Sequence, residues 1–131
     1  MSKPHAIINE RGSSLIVSLL YTHIILLLLL HAVSLLSTMH EIAHNDLERS
    51  KVYYAAEAGL YMAGEQLLKQ SKCTAFHFDM NGNAVEVKVT QRQPTEVILT
   101  ATAARPPDYA AGIVMTLNPV TGDITNWEDT K

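Results

Sequence analysis

Between Gly12 and His40 the chain carries no Asp, Glu, Lys or Arg. A surface helix needs charged positions on its wet face, so this absence excludes a solvated helix there. Between Pro4 and Pro94 there is no proline, so nothing in that stretch forces a helix to break. There is one cysteine, Cys73. It cannot close an intrachain disulfide or supply a multi-cysteine zinc site, and it reads as a partly buried thiol. Basic residues are few: 10 Lys and Arg stand against 13 Asp and Glu, for a net charge of −3. That balance argues against direct, phosphate-driven nucleic-acid binding, which needs clustered cations.

What fills the uncharged stretch is aliphatic. Ser14–Leu36 holds fifteen Leu, Ile and Val residues. As a helix at ~1.5 Å per residue it spans about 34 Å, slightly more than the ~30 Å of a bilayer's hydrocarbon. At about −0.3 to −0.6 kcal/mol each, the fifteen side chains favour insertion by about 4–9 kcal/mol. His23 and His31 subtract from that total without reversing it as neutral imidazoles. Lys3 and Arg11 precede the run, and Glu41, Asp46 and Glu48 follow it. The positive-inside rule therefore predicts a single-pass protein with its N-terminus in the cytoplasm and everything after about residue 40 outside. The run is too long for a signal-peptide core and lacks a clear small-x-small site after it, so a retained anchor is expected.

From Ser14 to about Gln70 the pattern predicts one continuous helix, about 85 Å long at ~1.5 Å per residue. Beyond the span, apolar residues form two rows at spacings of three and four. One row is Leu36, Met39, Ala43, Leu47, Tyr54, Ala58 and Tyr61, and the other is Tyr53, Ala56, Leu60, Ala63 and Leu67. Asp46, Glu48, Arg49, Lys51 and Glu65 are expected on the exposed face. The C-terminal third then changes period. The stretches TAFHFDM and AVEVKVT flank Asn81-Gly82, a hairpin signal, and Val85, Val87 and Val89 alternate with Glu86, Lys88 and Thr90. TEVILTATA, GIVMTLN and ITNW predict three more strands, and ARPPDYAAG is expected as an irregular polar loop. The predicted fold class is α+β: a long N-terminal helix, transmembrane in its first half, packed by a small antiparallel sheet. Tyr53, Tyr54, Leu60 and Leu67 are expected at the helix–sheet contact. Gly59 and Gly64 are expected as small residues under the sheet.

The junction NERGSSLIVSLL sets a short polar leader and an Arg-Gly pair directly against the apolar run. It resembles a type IV prepilin leader, and with the helix and sheet behind it the chain resembles the type IV pilins and pseudopilins. GSSLIVSLL resembles the start of minor pilins of the PilX group, and YYAAEAGL, residues 53–60, resembles the AEAGL stretch of their helix. The end, GIVMTLNPVTGDITNWEDTK, resembles that of competence pseudopilins of the ComGG type. The resemblance implies a cut by a prepilin peptidase between Gly12 and Ser13. Four segments follow: leader 1–12, transmembrane and assembly helix 13–37, extracytoplasmic amphipathic helix 38–70, and sheet domain 71–131. It implies other pilins or pseudopilins, the peptidase, an inner-membrane assembly platform and membrane lipid as partners. It implies a place on the filament and cell surface after assembly, no cofactor and no enzymatic activity. One position departs from the family. Major pilins carry a glutamate as the fifth mature residue, thought to pair with a neighbouring subunit's amine, and here that position is Val17. An unpaired buried charge is costly, so its absence points to a minor, priming or tip subunit.

His40-Glu41-Ile42-Ala43-His44 also matches the H-E-x-x-H zinc-protease pattern. A working site needs a third ligand, an open coordination position and a cleft. Glu48, Glu57 and His77 are the candidates, at no spacing typical of such enzymes, and about sixty residues leave no second lobe for a cleft. The motif is therefore expected to be solvated helix surface. His23 and His31, at membrane depth, are either tolerated there or bonded to a neighbouring helix.

Overall fold

The computed structural model describes residues 10–70, 72 and 74–130; Cys73 and most of the leader, residues 1–9, lie outside them. One helix, α1 (Glu10–Lys69), is followed by five strands: β1 (Ala75–Met80), β2 (Asn83–Arg92), β3 (Val97–Arg105), β4 (Tyr109–Leu117) and β5 (Ile124–Thr130). The strands form one antiparallel sheet in the order β1-β2-β3-β4-β5. The α+β class is thus present, with a long N-terminal helix and a small antiparallel sheet. The chain divides into two compact units, Met1–Ala43 and His44–Lys131.

In the first unit every described side chain from Gly12 to Ala43 is exposed. By length and composition this part of α1 could cross a membrane. Uncharged aliphatic side chains all round the axis leave the helix no wet face, and none of the described side chains of the unit is buried.

In the second unit α1 lies on one face of the sheet. Val52, Ala55, Ala56, Leu60, Ala63 and Leu67 pack against Val85, Val87, Leu99, Ala101, Ile113 and Met115 from the three central strands. Leu60 and Leu99 are fully buried. The helix side of this contact is mostly alanine and glycine, which lets the two backbones approach closely. At Gly59 the approach is at its limit, because a Cβ there would stand 2.5 Å from Val85 Cγ1. At Gly64 it would stand 3.5 Å from Met115 Cε, an ordinary contact. The two glycines therefore respond oppositely to alanine. Either substitution gains about 1 kcal/mol of helix propensity. Gly59→Ala adds overpacking worth about 1–3 kcal/mol, so it is expected to destabilise, and Gly64→Ala to be neutral or stabilising. Urea unfolding of the two variants checks this; equal midpoints would mean that the helix does not press on Val85.

Three sequence expectations change. Of the two apolar rows, only the second is buried: Leu47 and Tyr61 are exposed, and Tyr54 is 65% exposed. Tyr54 follows Val52 by two residues, about 200° around the axis, so it faces away from the sheet. Glu48, expected on the wet face, is 8% exposed, because it stands four residues before Val52 and eight before Ala56 on the covered face. Finally, the polar loop expected over residues 104–112 shrinks to Pro106–Asp108. On either side of it Arg105 pairs with Tyr109, Ala104 with Ala110, Ala103 with Ala111 and Thr102 with Gly112. Small side chains continue the ladder there, while the prolines sit in the turn, where a missing N–H costs nothing. The Asn81-Gly82 turn is as expected. Both residues have positive φ, 54° and 79°, as a two-residue hairpin with a primed turn requires. β5 extends to Thr130, carrying Glu128 and Asp129 on an outer strand where charge is tolerated.

Candidate functional site

The expected cleavage site falls inside the described residues. Gly12 and Ser13 lie in the first turn of α1, which starts at Glu10 rather than Ser14. Both residues are exposed, and beyond the helix's own adjacent backbone no described atom stands within 4 Å of where a Cβ on Gly12 would be. Val17, His23 and His31 are exposed on the apolar part of α1. Of the expected contact residues, Leu60 and Leu67 are in the core, Tyr53 is half-buried against it, and Tyr54 is outside. The Tyr53 and Tyr54 rings meet edge to face, with centroids 5.9 Å apart.

His40, Glu41 and His44 are exposed on α1. Among the described residues, no three His, Cys, Asp or Glu side chains stand together so as to hold a metal ion. Two of the third-ligand candidates are occupied otherwise. His77 lies 3.4 Å from Glu86 on the sheet, and Glu48 pairs with Lys51 and Arg105.

The Glu48 cluster is the feature that sequence reasoning missed. Its Oε1 accepts a hydrogen bond from Lys51 Nζ at 2.7 Å, one turn along the helix, and its Oε2 lies 3.0 Å from Arg105 at the end of β3. Two further polar bridges tie the same end of the helix to the sheet. The Tyr109 hydroxyl donates to Asn45 Oδ1 at 2.7 Å, and the Tyr53 hydroxyl to Asp129 Oδ1 at 3.1 Å. The helix is therefore held by polar bridges over residues 45–53 and by apolar packing over residues 52–67. A cleft opens beside the bridges, lined by Arg49, Tyr54 and Asp108 as well as by Asn45, Tyr109 and Asp129. The spacing from Glu48 to Val52 and Ala56 was the available signal for the buried carboxylate. Nothing local in the sequence pairs Arg105 with it.

The bond from Lys51, with the nearby Arg105 charge, holds the Glu48 carboxyl below its ordinary range, against a smaller opposing effect of burial. An unfolded glutamate titrates near ~4.3. Because the folded value is lower, the stabilisation from Glu48 is complete above about pH 4.3 and is lost as pH falls through the folded value. The melting temperature of Glu48→Gln is thus expected to lie below that of the parent at pH 7, with the gap closing towards pH 3. Melting curves across that range check it, and a gap that does not change with pH would show that Glu48 is not held as a carboxylate by the fold.

No protein-family model, curated protein or solved structure matches the chain, so its likeness to the pilins rests on a pilin-like architecture, an apolar N-terminal helix carried on to pack against a small antiparallel sheet, and on the short stretches of sequence quoted above.

Proposed function

We propose that this chain is a minor pseudopilin, a structural subunit that helps to assemble or prime a competence (DNA-uptake) or type IV pilus-like filament. It works without chemistry of its own. The observation that carries the reading is the division of labour along α1. Side chains from Gly12 to Ala43 are all exposed and largely apolar, whereas His44–Lys69 buries one face under a sheet. A bare aliphatic surface of bilayer length suits two environments, lipid tails and the flanks of sister helices. Such a helix can store the subunit in the membrane and later carry it into a filament core. The sheet domain would then set which neighbour the subunit meets. A prepilin peptidase would cut between Gly12 and Ser13 before assembly, and an inner-membrane platform would extract the product. Val17, where a repeating subunit carries a glutamate, favours a minor position. The same features would serve a PilX-type minor pilin of an adhesive pilus or a secretion pseudopilus, and the phenotype of a deletion strain separates these.

The test is N-terminal sequencing of the membrane-fraction protein from cells with and without the prepilin peptidase. Ser13 is expected as the first residue only when the peptidase is present, and Gly12→Asp is expected to leave the chain uncut. A chain that is always full length, or is cut beyond the apolar run, would overturn the proposal.

A further inference from the structure

Inside hydrocarbon, a donor or acceptor without a partner is costly. Some hydroxyls of α1 avoid that cost locally. Ser18 donates to the Leu15 carbonyl at 3.3 Å and Thr22 to the Ser18 carbonyl at 2.6 Å. His23 and His31 do not. Both imidazoles are exposed, and neither has a hydrogen-bond partner among the described residues.

Their placement is specific. They are eight residues apart, about 12 Å along the axis and about 80° around it, with Leu27 between them. Both fit within the ~100° stripe that one neighbouring helix covers. His23 stands two residues from the middle of the 13–37 span, about 3 Å along the axis. The ~30 Å hydrocarbon layer keeps headgroups and water about 15 Å from its centre, so neither can serve that ring. Its partner must be another membrane-embedded group.

A neutral imidazole carries one donor and one acceptor, so it is complementary to a second imidazole. Copies of a single-pass chain share one orientation in the membrane, and a two-fold axis along the bilayer normal brings each residue to its counterpart. We propose that α1 pairs with a second copy of itself in the membrane through His23 and His31, one ring of each pair donating its N–H to the bare ring nitrogen of its counterpart. This rests on the reading of residues 13–37 as a membrane span. The pair is a storage form of the subunit, held by one bond at each histidine, of which the His23 bond has no lipid substitute.

The test uses the full chain, in donor- and acceptor-labelled populations reconstituted into phosphatidylcholine vesicles, with energy transfer followed against the protein-to-lipid ratio. The parent is expected to show saturable transfer. His23→Leu with His31→Leu is expected to weaken pairing about five- to tenfold, from two interhelical bonds of average strength. His23→Asn with His31→Asn restores a self-complementary group at each place and is expected to recover pairing. No transfer in the parent, or the same curve for the double leucine variant, overturns the pairing. Carbonate extraction of the same vesicles separates the two failures. Parent protein released by carbonate refutes the membrane reading itself. Protein retained with transfer indifferent to the histidines refutes only the pairing.

Discussion

Leu60→Ala is expected to cost the folded unit about 2–5 kcal/mol, because a fully buried leucine leaves both its transfer energy and a cavity behind. Leu60 sits in the middle of the covered helix face, among Ala56, Ala63 and Leu67, and under the central strands. Most of the core around it is alanine, valine or isoleucine, so few side chains can move in to fill the gap. The chain's single tryptophan gives the readout. Trp127 on β5 is half-buried and stacks on Tyr61 with ring centroids 5.8 Å apart, so unfolding wets it. Urea titration followed by its fluorescence should show a lower midpoint with an unchanged slope. Leu68→Ala is the control: at 49% exposure it should cost well under half as much. Equal midpoints for the two variants would mean that the helix presents a different face to the sheet.

Ile25→Arg is expected to move the chain out of the membrane fraction. Ile25 is at the middle of the 13–37 span, where exchanging an aliphatic side chain for arginine swings insertion by about 3–4 kcal/mol. Set against a total of about 4–9 kcal/mol for the whole run, that is a large share of what holds the segment in lipid. Ser37→Arg, at the end of the span, can send its head group to the interface and should insert like the parent. Fractionation of cells expressing the two variants gives the comparison. Ile25→Arg protein as firmly membrane-bound as the parent would place the span elsewhere. Ile25 lies on the side of the helix away from His23 and His31, so the result does not depend on how those two are satisfied.

Period and turn chemistry carried most of the fold. The proline-free stretch predicted the single helix, and the run of Val85, Val87 and Val89 behind Asn81-Gly82 predicted the first hairpin. What failed was local composition where tertiary pairing overrides it. Residues 104–112 look like a loop because they hold two prolines, an aspartate and a glycine, yet all but three lie in a paired ladder. Tyr53 and Tyr54 look alike in sequence, but one step around the helix separates a half-buried ring bonded to Asp129 from an exposed one. Glu48 was placed by its charge rather than by its phase, and its partner Arg105 is remote in sequence, so the ion pair could not be read from neighbouring residues. The motifs on which the proposed function rests are in the sequence itself: the Arg-Gly junction, the bare span, and the valine at position 17.

Each strand of the sheet pairs only with the one made just before it and the one made just after. No crossover waits for a distant segment, so the entropy of closing loops is paid in small steps. On the proposed topology, in which the sheet domain follows the anchor out through a translocation pore, that order matters. The sheet can zip up hairpin by hairpin against a helix that is already outside, and only the last strip, β5, must wait for release of the terminus. Such a domain needs no complete polypeptide before it begins to shield its apolar face, which shortens the time during which that face could stick to something else.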